Sequence, residues 1–424
     1  MDALKRRTER ETGAHPRRAV EIPRIWLTAL VVLFVAPWLV VAALYTGVFN
    51  GTAPPELPLA APEAPAPGPW GVLSATPIVI SPPLEYVSTE DARPGRTPWF
   101  FPGVTLDQLE SLLTSAGLDA QTATSLRATA RQDKAANGVA VLPDPATVRA
   151  LPADVRARLY LLLASVPLNG DQAHSYRFFG ASPEAWLGQS LISPDTRALV
   201  EPLIYRDGDF LHFADLDLIR AAVTDEEEIR RLIKALSRQA TMLVELTVPS
   251  GADVAGLTEY WGRGGRKTDL KPLLESVASS ASHPAIDIAH LLPEFAQNLL
   301  YRYPKITAAD LDRPVIANCL WTALNFFEAE PDDRFLNVAH ALNTLKTDYY
   351  LVEAGFQLGD IVAFVDSREL IFHAAVYLAD DLVLTKNGLS PMAPWVILPL
   401  EQVKGYYRTR ASDPELLYHR HKGL

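Results

Sequence analysis

The chain has 424 residues, more than one ordinary hydrophobic core accommodates, so at least two domains are expected. The formal net charge of −11 argues against a nucleic-acid partner, because phosphate binding requires a basic face. The only cysteine, Cys319, excludes an intrachain disulfide and a zinc site built from several cysteines.

The first predicted element is an uncharged apolar segment at residues 25–49, which follows a basic stretch. At ~1.5 Å per residue it reaches about 37 Å, enough to cross a hydrocarbon core of about 30 Å. We therefore predict a cytoplasmic tail over residues 1–24, a transmembrane helix over 25–49 in contact with the lipid bilayer, and an extracytoplasmic remainder. A cleaved signal peptide is one alternative, although its apolar stretch is normally ~7–15 residues long. A buried core helix is the other, although its charge-free surface would need covering on all sides.

Proline dominates the next segment, where seven of the sixteen residues 54–69 are proline. Such composition favours a semi-extended spacer, so we predict a Pro-rich linker over residues 50–98. A mainly α-helical middle domain is predicted for residues 99–302. Its helices are indicated by capping-box patterns at Thr105 and at Thr224, each followed by an apolar stripe of helical spacing.

The middle domain shows no sequence pattern that predicts a catalytic, phosphate-binding or metal-binding site. Its WGRGGRKT segment lacks the glycine that a phosphate loop requires before the lysine, so we interpret it as a turn. Its histidines are scattered without metal-ligand spacing, and no metal and no cofactor are expected. They are His174, His212, His283 and His290.

The pattern changes in the last domain, predicted for residues 303–424. Asn318 is a candidate helix cap that places Cys319 in the first helical turn, where the dipole favours thiolate over thiol. Strand patterns follow, first at Ile361 to Val365 and then in IFHAAVYL, where Ile371, His373, Ala375 and Tyr377 alternate onto one face. A third strand, DLVLTKNG, ends in an Asn-Gly turn signal.

The order of these segments resembles the NlpC-type cell-wall peptidases, which have a papain-like fold. The resemblance covers roughly residues 300 to 410, through ANC at the helix start, LGDIVAF and then FHAAVYL. It implies Cys319 as nucleophile and His373 as base. The family's third, polar position falls on Thr385, while Asn387 lies on the same strand face and has the amide chemistry of an alternative orienter. The family usually has Asp-Cys-Ser, where this chain has Asn-Cys-Leu.

Together these patterns predict an α+β fold class: an N-terminal transmembrane helix, a Pro-rich linker, a mainly α-helical middle domain and a papain-like NlpC-type C-terminal domain of one helix and an antiparallel sheet. The resemblance implies a membrane-anchored bacterial cysteine hydrolase that cleaves an amide bond in peptidoglycan stem peptides. Two alternatives remain open. One is an acyltransferase or lipid amidase on the same scaffold, and the other is a non-catalytic envelope protein in which Cys319 is a buried small hydrophobe.

Overall fold

The computed structural model describes residues 65–89, 97–134, 136–282, 284–304, 317–388, 390, 392–408 and 413–424. The α-helices in these ranges are Leu106–Ser115, Ala120–Ala128, Pro145–Ala150, Ala153–Ala164, Gly170–Ala173, Pro183–Leu187, Pro194–Val200, Leu216–Ala222, Glu226–Leu236, Val254–Trp261, Lys267–Ser279, Glu294–Leu299, Cys319–Leu324, Val338–Asp348 and Leu400–Tyr407. The strands are β1 (Val72–Ile80), β2 (Trp99–Pro102), β3 (Ala130–Asp133), β4 (Gly138–Val141), β5 (Tyr176–Phe179), β6 (Tyr205–Asp207), β7 (Phe210–Phe213), β8 (Gln239–Thr247), β9 (Ala285–Asp287), β10 (Tyr349–Val352), β11 (Ile361–Val365), β12 (Ile371–Ala379), β13 (Leu382–Lys386), β14 (Trp395–Pro399) and β15 (Glu415–His421).

The strands form four antiparallel sheets. Three of them have three strands each, in the orders β1-β8-β9, β2-β4-β3 and β5-β7-β6. The fourth has six strands in the order β10-β15-β11-β12-β13-β14 and carries the C-terminal residues of interest. The cysteine helix, Cys319–Leu324, packs against β12 and β13 of this sheet.

One hydrophobic cluster joins the middle and C-terminal parts of the chain. It contains Val244 and Trp261 from the middle part together with Leu320, Val376 and Ile397. The hydroxyl of Thr241 on β8 also donates to the Ile397 carbonyl on β14 and accepts from its N–H, both at 3.0 Å. A continuous apolar core thus crosses the predicted domain boundary after residue 302. The cysteine helix packs on residues from both the middle and the C-terminal parts of the chain.

The predicted fold class needs correction at its N-terminal end. In the ranges that the structure describes, no helix is long and apolar enough to cross a membrane. The longest of those helices, Lys267–Ser279, has 13 residues and reaches only about 20 Å. The predicted span over residues 25–49 lies outside the described residues.

The predicted linker is also wrong over part of its length. β1 lies within residues 50–98 and pairs with β8 along all nine of its residues, from Val72 opposite Thr247 to Ile80 opposite Gln239. Its Pro77 is tolerated because β1 is an edge strand, where a missing N–H costs no ladder hydrogen bond on the open side.

The middle domain contains more sheet than predicted, with eight strands, β2 to β9, between residues 99 and 302. Most of them have three or four residues, and β4 and β7 are buried along their whole length. Such short strands lack the alternation of buried and exposed residues on which sequence interpretation depends. The first predicted capping box is confirmed at Thr105, whereas the second helix is capped by Asp225 rather than Thr224.

Candidate active site

The cysteine helix begins where the sequence predicted. The side-chain oxygen of Asn318 accepts a hydrogen bond from the Trp321 N–H at 2.9 Å, which caps the helix and fixes Cys319 as its first residue. The Thr322 hydroxyl donates to the Asn318 carbonyl at 2.8 Å and ties the same turn together. Cys319 is half-buried, while Asn318 and Thr322 are buried.

The surroundings of the Cys319 sulfur act in opposite directions. Burial raises the pKa of the thiol, and this effect is opposed by the backbone N–H groups of Ala374, Leu320 and Cys319 itself and by the charge of Lys386. The net direction is upward. The expectation that the helix start favours thiolate is therefore corrected for the resting structure, because desolvation outweighs the N–H groups and the nearby cation.

His373 lies on β12 and is held from the neighbouring strand β13. Its Nε2 atom is 2.9 Å from the hydroxyl oxygen of Thr385, and that hydroxyl donates to the side-chain oxygen of Asn387 at 3.2 Å. A hydroxyl has one proton, so Thr385 accepts from the Nε2–H of His373. The neutral ring then carries its lone pair on Nδ1, the nitrogen that is free to receive a proton.

Both predicted orienters thus belong to one chain of contacts, but they occupy different places in it. Thr385 contacts the imidazole, whereas Asn387 contacts Thr385 and forms no hydrogen bond with the His373 ring among the residues described. Asn387 is therefore a support for the orienter. The strong turn signal at Asn387 and Gly388 leads into a longer connection than predicted, since β14 begins only at Trp395.

Aromatic rings enclose the imidazole. The Tyr407 ring stacks on it with centroids 4.2 Å apart, and Phe364 meets it edge-on at 5.0 Å. His373 is 1% exposed, and burial lowers the pKa of its ring to about 3. The ring is accordingly neutral at physiological pH, as a general base must be before it takes a proton.

Strand alternation places the predicted face largely as expected. Ala375 and Tyr377 pack in the cluster on the face of His373 and Tyr407. Ile371 packs instead with the cluster of the cysteine helix. The pairing with β11 shifts register between Phe364 and Val365, and this irregularity turns Ile371 away from the face that strict alternation predicts.

Cys319 and His373 meet through the backbone of β12. The backbone N–H of Ala374, the residue after His373, lies close enough to the thiol to affect its pKa, and the cysteine helix packs against β12. Within the ranges described, the thiol and the imidazole form no hydrogen bond with each other. The two candidates thus share one segment of β12 but pack on opposite faces of the sheet: Cys319 belongs to the cluster of Ala374 and Val376, whereas the His373 ring packs on Tyr407 and Phe364 of the other cluster.

Lys386 was missed in the sequence. Its side chain is fully buried, and its ammonium group donates to the carbonyls of Gly388 at 3.0 Å and Ser390 at 3.1 Å. The ammonium lies 5.8 Å from the ring centroid of Trp395, whose indole N–H donates to Thr322 of the cysteine helix at 2.9 Å. Burial lowers the pKa of Lys386 to about 8, and the Cys319 charge opposes that shift. The sequence did contain a signal for it, because Lys386 is the one charged residue at the end of the otherwise uncharged strand β13.

A cavity of about 430 Å³ adjoins this cluster. Asn387, Ser390 and Val396 line it from the C-terminal sheet and its loop, while Arg177 and Gln239 line it from the middle part. Asn387 connects the cavity wall to Thr385 and so to the base. The volume lies within the ~300–1,000 Å³ typical of small-molecule sites.

The remaining sequence interpretations concern metals and phosphates. Within the described ranges, no group of three or more His, Cys, Asp or Glu side chains could hold a metal ion. The Nδ1 atom of His212 is 3.0 Å from the Ser175 hydroxyl, and His283 lies outside the described residues. Gly264 and Gly265 have positive φ angles of 71° and 83°, which form the turn predicted for the glycine-rich segment.

Comparisons with protein families, with curated proteins and with solved structures give no match to this chain.

Proposed function

We propose that the chain is a cysteine hydrolase that cleaves an amide bond, with Cys319 as nucleophile and His373 as general base. The observation that carries the proposal is the contact of His373 Nε2 with Thr385, on the strand β12 against which the cysteine helix packs. A nucleophile, a base and an orienter for that base are the parts that covalent catalysis by cysteine requires.

The proposed reaction starts from a neutral thiol and a neutral imidazole. His373 Nδ1 takes the thiol proton as the sulfur attacks the amide carbonyl carbon, and the C–N bond then breaks as the imidazolium returns that proton to the leaving amine. Water attacks the resulting thioester with His373 again as base. The products are a carboxylic acid, an amine and the free thiol, so atoms and protons balance without a cofactor.

Peptidoglycan stem peptides are the substrate class that the NlpC-type resemblance implies, and we propose them as the first substrates to test. Incubation of the full chain with defined muropeptides in H₂¹⁸O should release a new amine and place one ¹⁸O atom in the new carboxylate. Cys319→Ala and His373→Ala should abolish this product. His340→Ala is the matched control, because His340 lies on the separate helix Val338–Asp348 and packs on Phe335.

A non-catalytic envelope protein is the second candidate, and specific observations favour it. Burial raises the pKa of the Cys319 thiol and lowers that of His373, as it does for groups packed only for stability. Under this alternative, no muropeptide is cleaved, and Cys319→Ala has the same partners and the same envelope role as the wild type.

A further inference from the structure

The cavity beside Asn387 contains a cation without a carboxylate partner. Arg177 on β5 is half-buried in the cavity wall, and among the described residues no Asp or Glu lies within ion-pair distance of it. Several other arginines of the middle part do have such partners, as Arg156 has in Asp215 at 2.9 Å and Arg220 has in Glu226 at 2.6 Å. An arginine that faces a cavity without a counter-charge is suited to bind an anion.

The guanidinium of Arg177 is held in a fixed orientation. Its Nη1 group donates to the Tyr406 carbonyl at 3.2 Å, and its central carbon lies 5.0 Å from the Tyr406 ring centroid. In the part of the chain described, its Nε and Nη2 groups form no hydrogen bond. A planar donor group that is anchored along one edge and stacked on an aromatic ring loses little freedom when a carboxylate binds its other edge.

Two routes connect this cavity to the proposed base. On one side, Asn387 lines the cavity and accepts from Thr385, which contacts His373. On the other side, Tyr406 lines the cavity, and the next residue, Tyr407, stacks on the His373 ring. Neither His373 nor Cys319 lines the cavity, so a molecule bound there is separated from the imidazole by Thr385 and Asn387 on one side and by Tyr407 on the other.

We propose that this cavity binds the carboxylate-bearing end of the substrate, with Arg177 as the residue that pairs with that carboxylate. The inference rests on the proposed amide hydrolase and narrows its substrates to peptides with a free carboxylate near the cleaved bond. Asp171 also lines the cavity, but it is exposed to solvent, so its charge is better screened than that of half-buried Arg177.

Binding of a minimal probe tests the proposal without turnover. The full chain carrying Cys319→Ala is titrated calorimetrically with N-acetyl-alanyl-alanine, in its L and D forms, and with the corresponding C-terminal carboxamides. We expect one free acid to bind at least about tenfold more tightly than its carboxamide, as a charge-assisted hydrogen bond predicts. Arg177→Gln should remove this preference.

Arg206→Gln is the matched control, because Arg206 belongs to the same small sheet but, among the residues described, donates only to the Gly180 and Ala181 carbonyls. It should leave the preference unchanged. If Arg177→Gln does not fold, Arg177→Lys replaces it and should weaken acid binding severalfold, since a lysine cannot occupy the stacked planar position. Equal binding of acid and carboxamide, no binding of either, or a preference that survives substitution of Arg177 would overturn the proposal.

The outcomes separate this proposal from the hydrolase itself. If binding shows an Arg177-dependent preference for the acid but the wild-type enzyme cleaves no substrate, the carboxylate site is supported and the proposed hydrolase is refuted. If muropeptides are cleaved but the free acid is not preferred over the carboxamide, the hydrolase is supported and the carboxylate site is refuted.

Discussion

His373 Nε2 lies 2.9 Å from the hydroxyl oxygen of Thr385, across the pair of strands β12 and β13. This contact fixes the ring's tautomer, because the Thr385 proton is already given to Asn387. It also explains how a histidine on a buried strand keeps one nitrogen hydrogen-bonded while the other keeps its lone pair. Threonine, a weak candidate as an orienter by chemistry alone, is effective here because Asn387 polarises its hydroxyl.

Removing that hydroxyl should impair both stability and reactivity. Thr385→Val keeps the shape of the side chain but leaves the buried Nε2–H of His373 without an acceptor, at a cost of about 1–3 kcal/mol in the free energy of unfolding. Because the ring is then free to turn, we expect the rate of any His373-dependent reaction to fall about tenfold or more. Urea unfolding and alkylation kinetics of Cys319 measure the two effects. Thr385→Ser, which restores the hydroxyl, should recover most of both, and wild-type behaviour of Thr385→Val would show that the contact is dispensable.

Lys386 should contribute to the acidity of the thiol. Its buried charge opposes the rise in the pKa of Cys319 that burial causes, so Lys386→Met should raise that pKa further. The readout is the pH dependence of Cys319 alkylation by iodoacetamide, whose midpoint should move to higher pH. Lys386→Arg keeps the charge and serves as the control. A midpoint that is the same in Lys386→Met and wild type would mean that the lysine only anchors the loop through Gly388 and Ser390.

His373 should make the fold sensitive to acid. Its pKa is about 6.5 without the fold and is lowered to about 3 by burial, so between these values the unfolded chain binds the additional proton. Stability is therefore lost as the pH falls from about 6.5 towards 3, by up to about 1.4 kcal/mol per pH unit from this residue. Urea unfolding of wild type and His373→Gln at several pH values across this window isolates the effect. The variant should show the shallower slope, and parallel slopes would contradict the burial of a neutral ring.

The sequence predicted the C-terminal elements well because their signals are local. The cap at Asn318, the apolar run of β11 and the alternation around His373 each depend on neighbouring residues and each appear in the structure. Thr385 was reached only through the family resemblance, and its contact with the ring depends on the register between β12 and β13. That register is irregular near Tyr377, which no local pattern announces.

The missed features depend on contacts between distant segments. Tyr407 reaches His373 from a helix that begins at Leu400, and Arg177 reaches Tyr406 from the middle part of the chain. The direction of the pKa shift of Cys319 was also mispredicted, because the helix start is visible in the sequence whereas the desolvation of the thiol depends on packing against β12 and β13.

Alkylation of the single cysteine tests the central claim most directly, since Cys319 is the only thiol in the chain and every labelling event reports on it. The folded wild-type protein is exposed to iodoacetamide at neutral pH, and the second-order rate is compared with those of His373→Ala and His340→Ala. If Cys319 is a nucleophile assisted by His373, the wild type and His340→Ala are labelled readily and at the same rate. The labelling rate of His373→Ala is then lower by a factor of about ten or more. A folded wild-type protein that resists labelling, or a His373→Ala variant that labels as fast as the wild type, would contradict the account.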